Sequence, residues 1–142
     1  LVSQNLRKDI NLYMKPKSRH KTREAIVNLI YRHYVLNLSN DESKQELLDN
    51  FQAEIDEKDI ENYLQFFDII DEIESQIKNK LKETWPFERI NNYEKAILTN
   101  GFYEIVYLNI EKKIIINESM DLMKNYVPND DYKYINKILD LI

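Results

Sequence analysis

The sequence predicts an all-α protein of about seven helices, and three observations lead to that class. Gly occurs once and Pro three times in 142 residues, leaving few of the sharp turns that a many-stranded sheet requires. Apolar residues recur at three- and four-residue steps along most of the chain, the spacing of one helix face. Ser, Asp and Asn stand at the head of several of these stretches, where their side-chain oxygens cap free backbone N–H groups. With 43% hydrophobic residues, the chain has the apolar material for one domain with a sizeable core.

The elements follow in chain order. Val2, Leu6, Ile10 and Met14 recur every four residues, but their neighbours are polar. Residues 1–14 are therefore read as an N-terminal extension and residues 15–142 as a single helical domain. Ala25, Ile26, Leu29, Ile30, Tyr34 and Leu38 define the stripe of a first helix over residues 18–38. Ser39 and Glu42 have capping-box spacing, and Leu47, Leu48, Phe51 and Ile55 continue a second helix over about 41–54. Asp56 opens the longest segment, roughly 25 residues with Ile60, Tyr63, Phe66, Phe67, Ile70, Ile73, Ile77 and Leu81 inward. Trp85 and Pro86 end it, and Pro86 suits the first position of a short helix through Ile90. Asn91 then heads a helix with Ala96, Ile97, Phe102, Ile105 and Val106 inward. Residues 109–113 read as a loop. Ile114, Ile115 and Ile116 form a β-branched run, expected as a buried extended lead-in to a helix over 117–126 that carries Met120 and Met123. Pro128 stops that helix, Asn129 or Asp130 caps the last one, and Ile135, Ile138, Leu139 and Ile142 point inward.

Charge is polarised along this scaffold. The net charge is −5, yet residues 15–23 hold Lys15, Lys17, Arg19, Lys21 and Arg23 with no acid before Glu24, so the rest of the chain carries −10. A basic helix entry suits phosphate, because side-chain cations add to free backbone N–H groups and to the positive end of the helix dipole. The acidic remainder suits a cationic protein partner.

Several chemistries are excluded. Without Cys there is no disulfide, thiolate zinc site or cysteine nucleophile, which fits a cytoplasmic protein. No glycine-rich loop is present for a nucleotide, since Gly101 falls inside a predicted helix. His20 and His33 have no partners at metal-pair spacing, and His33 reads as a surface or core-edge histidine. No enzyme activity, cofactor or metal is expected.

Separated motifs carry a resemblance to a known family. Met14-Lys-Pro runs into the basic cluster, then Arg23-Glu24 and Leu29-Ile30-Tyr31. In the middle stand Trp85 with Arg89, Glu94-Lys95-Ala96-Ile97-Leu98, and Phe102-Tyr103-Glu104. Near the end come Ile116-Asn117-Glu118 with Lys124, and Tyr134-Ile135-Asn136 with Ile138-Leu139-Asp140. In order and spacing these resemble the NusB family of bacterial transcription antitermination factors over residues 14–142. The chain departs from the family pattern at Thr99, where Arg is frequent, at Lys137, where Gly is frequent, and at His20 and Lys21, where arginines are usual. Lys does not reproduce the planar two-pronged contact of Arg with phosphate or guanine.

The resemblance implies two packed three-helix subdomains that bind boxA-type single-stranded RNA. It also implies a partner, the small ribosomal-subunit protein NusE, and action with RNA polymerase in antitermination on ribosomal RNA operons. By motif, Arg19, His20, Lys21 and Arg23 form the RNA-contacting segment, with Lys15 and Lys17 adding charge. Lys133 and Tyr134 contribute from the last helix, Asp130 lies at the edge of the surface, and Glu94 faces the protein partner. Tyr31 and Tyr134 are the candidates for base stacking. Five cations give a salt slope no steeper than about −3.5 on single-stranded RNA. Two alternatives remain open on the residues: a protein-binding helical module without specific RNA recognition, and a basic amphipathic helix, residues 25–38, lying on an anionic membrane. Arg23→Ala is expected to lower RNA affinity without unfolding the domain.

Overall fold

The computed structural model describes residues 18–49, 55–81, 86–126 and 133–142. Six α-helices and one 3-10 turn account for most of them: α1 Arg19–Val35, α2 Asn40–Asp49, α3 Glu57–Lys78, the 3-10 turn Phe87–Arg89, α4 Asn92–Val106, α5 Lys112–Tyr126 and α6 Lys133–Asp140. No strand occurs among the described residues, so the all-α class holds. Residues 1–17, Phe51, Trp85, Pro128, Asn129 and Asp130 lie outside the described residues, and with them the expectations placed there.

The capping residues act as their chemistry dictates. Ser18 Oγ accepts from the Lys21 N–H, Asp56 from Asp59 and Asn91 from Glu94. Ser39 and Glu42 close a reciprocal box, with the Glu42 N–H on Ser39 Oγ at 3.1 Å and the Ser39 N–H on Glu42 Oε1 at 3.2 Å. Helix α1 stops three residues before the expected Leu38. Asn37 adopts φ 52°, and the Leu38 N–H returns to the His33 carbonyl at 3.0 Å, a left-handed cap that Asn tolerates better than most residues. Pro86 caps the 3-10 turn instead of entering a helix, and only one turn forms.

Helix α4 organises the core. Eleven of its residues are buried, which is what a helix surrounded on all sides requires. It packs most extensively on α1, and also on α3, α5 and α6, so the halves α1–α3 and α4–α6 share one continuous core. Tyr63, Phe66 and Tyr103 meet there with ring centroids 5.2–5.6 Å apart. Gly101 lets α6 approach closely, because a Cβ at that position would stand 2.8 Å from Leu139 Cδ2.

Two local expectations are corrected. The Ile114–Ile116 run is helical from Lys112 onward, with Ile115 buried and Ile114 exposed: packing at helical period overrides β-branched propensity. Val106, expected inward, is exposed on the last turn of α4. The apolar residues Ala25, Ile26, Leu29 and Ile30 of α1 are buried in the core, which removes them as a membrane-lying face. No described helix is long and apolar enough to cross a membrane.

His33 is buried where α1 meets α2 and α3. Its Nδ1 shares a hydrogen bond with Ser43 Oγ at 2.6 Å, and the rings of Tyr34 and Phe67 lie 5.3 and 5.6 Å away. Burial lowers its pKa below the ordinary histidine value, against a smaller opposing pull from Asp71. The unfolded chain therefore binds the proton more readily than the native one below about pH 6.5. Stability should be full above that pH and fall as pH drops toward the depressed native pKa. Urea midpoints between pH 8 and 5.5 should show this decline, and His33→Gln should flatten it.

Candidate nucleic-acid interface

Arg19, His20, Lys21 and Arg23 of the basic segment lie in the first turns of α1, which carries no acid in its first turn. Its members nevertheless have different environments, because residues three, four and seven apart on a helix share a face. Arg23 stands three residues before Ile26 and seven before Ile30, on the stripe that packs inward. Its side chain is buried, with Nε 2.7 Å from Glu104 Oε2 and Nη2 2.8 Å from Glu104 Oε1, and Glu118 adds a third oxygen 3.5 Å from Nη1. Glu104 also accepts from Asn100 Nδ2 at 3.0 Å, and Asn100 accepts from the Tyr63 hydroxyl at 2.5 Å. The Glu104 and Glu118 charges offset the desolvation of the guanidinium and raise its pKa, so Arg23 stays charged inside the protein. The expectation that Arg23 contacts RNA from the surface is thereby corrected: the periodicity that makes α1 amphipathic also turns this residue to the core.

Arg19, one turn earlier, reaches α3. Its Nη1 donates to both carboxylate oxygens of Asp59 at 3.0 Å, while more than half of the side chain is exposed. The rest of its fork is not used in that contact. His20 Nδ1 bonds Glu118 Oε2 on α5. Lys21 is exposed on the other side of the helix. Lys15, Lys17 and Asp130 lie outside the described residues.

The aromatic candidates fall into two groups. Tyr31 is exposed on α1 and packs edge-to-face on Tyr93 of α4, centroids 5.7 Å apart. Tyr93 in turn lies 4.5 Å from Tyr126, the last residue of α5, half of which is exposed. Three rings from three helices thus form one tract. Tyr93 and Tyr126 were not singled out from sequence; their place in first and last helical turns was legible, but the meeting of three helices was not. Tyr134 is half-buried on α6 and donates its hydroxyl to Glu94, beside Tyr93 on α4. Glu94 is buried, so the carboxylate expected to face a partner faces Tyr134 instead. Lys133 and Lys137 are exposed on α6.

The acidic surplus is concentrated elsewhere. Helix α2 carries a net −3 and α3 a net −5. Their exposed acids, including Asp41, Glu42, Asp49, Glu61, Asp71 and Glu72, give this part of the surface the opposite sign to the start of α1.

Comparison with known proteins places these features in a wider set. The sequence pattern of the NusB family matches residues 20–142. The chain is similar to the transcription antitermination protein NusB of Wolinella succinogenes, at 35% identity over 129 residues, covering 88% of this chain and 93% of that protein. It is similar to NusB of a Nitratiruptor species at 35% over 135 residues, covering 88% and 91%, and to NusB of Campylobacter curvus at 36% over 129 residues, covering 88% and 95%.

Proposed function

Because the chain belongs to the NusB family, we propose that it is a transcription antitermination protein, a helical adaptor that binds boxA-type single-stranded RNA together with the ribosomal protein NusE. Through that pair it engages RNA polymerase on ribosomal RNA operons, in the cytoplasm. The observation that supports the RNA part is a juxtaposition on α1: the exposed cations Arg19 and Lys21 at its first turn, and the exposed Tyr31 ten residues after Lys21, about 15 Å along the axis. A strand running along α1 from Lys21 to Tyr31, which lie within about 80° of each other around the axis, meets phosphate-binding charge at one end and an aromatic face at the other, the two components of single-strand recognition. Lys133 and Tyr134 extend the surface from α6, with Tyr134 oriented by Glu94. His20 contributes through its edge beside Glu118. The acidic face of α2 and α3 fits a cationic ribosomal partner, whose approach it would accelerate.

With Arg23 withdrawn into the core, the cations left in the segment support a salt slope no steeper than about −2.8. Titration of boxA-type and scrambled RNA, with and without NusE, at two salt concentrations tests the proposal. Preference for boxA RNA that grows in the presence of NusE, with a slope within that bound, is the expected result. Equal binding of both RNAs under all conditions would favour a protein-binding module instead.

A further inference from the structure

Tyr93 holds a polar group that the fold leaves unexplained. Its side chain is more than nine-tenths buried, and its hydroxyl meets neither solvent nor, among the described residues, a hydrogen-bond partner. The other inward phenols are satisfied: Tyr63 donates to Asn100 at 2.5 Å, Tyr103 to the Asn62 carbonyl at 2.5 Å, and Tyr34 to Glu74 at 2.6 Å. Buried polar groups are paired in the great majority of cases, because an unpaired one loses its hydration without compensation. Phe at this position would fill the same space without that penalty, so the hydroxyl calls for a partner that the described residues do not supply.

The surroundings indicate its chemistry. Tyr93 lies between two exposed rings, Tyr31 at 5.7 Å and Tyr126 at 4.5 Å. Aromatic faces with one directed polar group between them match what a splayed nucleobase requires: a surface to stack on and a contact for its edge. Burial, with Tyr126 and Glu24 nearby, raises the Tyr93 pKa, so the phenol keeps its proton and remains a donor. Tyr126 is the member able to move, since it ends α5 and half of it is exposed, and exposed side chains change rotamer in picoseconds to nanoseconds.

We propose that Tyr31, Tyr93 and Tyr126 form a base-reading subsite, in which a nucleobase of single-stranded RNA displaces the Tyr126 ring, stacks on the tract and accepts a hydrogen bond from the Tyr93 hydroxyl. The inference rests on the RNA-binding reading above and adds to it the group that distinguishes one base edge from another. Uracil presents exocyclic carbonyl oxygens and adenine ring nitrogens set back within the ring, so a donor held in one place by the core distinguishes the two by the position of the acceptor. Stacking supplies affinity for either, and the phenol supplies the difference.

Tyr93→Phe removes the hydroxyl and nothing else. Wild type and variant are titrated with a boxA-type oligoribonucleotide and with oligoadenylate of equal length, melted in parallel, and tested for binding to NusE. The variant should melt at the same temperature or higher, lose about fivefold in affinity for the boxA-type RNA, the equivalent of one neutral hydrogen bond, and keep its affinity for oligoadenylate. If wild type prefers the boxA-type RNA and Tyr93→Phe preserves that preference, the subsite is wrong while the RNA reading stands. If the variant loses affinity for NusE alone, the tract docks protein and the inference fails. If wild type binds neither RNA, the RNA reading fails and this subsite with it.

Discussion

Arg23→Ala should destabilise the protein by about 3–5 kcal/mol, because it removes one member of a buried ion pair and leaves the other without its counter-charge. Glu104 is almost fully buried and accepts two prongs from Arg23, so truncation strands a carboxylate between α1 and α4. Its remaining support, the Asn100 amide at 3.0 Å, is held by the Tyr63 hydroxyl, and the disturbance extends to α3. A thermal melt followed by circular dichroism should show the midpoint lowered by roughly 10 °C or more. Arg23→Lys should recover only part of the loss, since an ammonium does not span both carboxylate oxygens. The double substitution Arg23→Met with Glu104→Leu should be less damaging than either single change to Ala, because no buried charge is left unpaired. Any loss of RNA affinity in Arg23→Ala has to be read against this loss of fold.

Lys21→Glu should do the opposite: weaken RNA binding by about tenfold at low salt while leaving the fold intact or slightly more stable. Position 21 is the third residue of α1 after the Ser18 cap, and its N–H already bonds Ser18 Oγ at 3.2 Å. Glu there completes a capping box and places negative charge at the positive end of the helix. The same change replaces a phosphate-attracting cation with a repelling anion on an exposed position, and the salt slope should become shallower by about 0.7. Electrophoretic titration at two salt concentrations, with a parallel melt, separates the two effects. Unchanged affinity in a variant that melts normally would remove the start of α1 from the interface.

The contrast between Lys21 and Arg23, two residues apart, shows where the sequence is informative. Helix positions were legible because they depend on local chemistry: Ser18, Ser39, Asp56 and Asn91 cap where their side chains reach the next turn, and apolar spacing marks each inward stripe. Arg23 could have been placed by the same rule, since it shares a face with Ile26 and Ile30, but its charge drew it into the basic cluster. Ile114–Ile116 misled for a related reason: β-branched propensity is weak beside the packing of a whole helix.

By itself, then, the sequence determined the all-α class, the caps, most of the helix boundaries, the polarity of charge and the family motifs, all of which depend on neighbours a few residues away. Tertiary structure alone decided which charged groups remain available to a ligand and which are matched inside the protein. Arg23 found Glu104 eighty-one residues away, Glu94 met Tyr134, and Tyr31, Tyr93 and Tyr126 converged from three helices. Such meetings depend on how helices cross, and crossing is set by the shared core around α4, which no local spacing encodes.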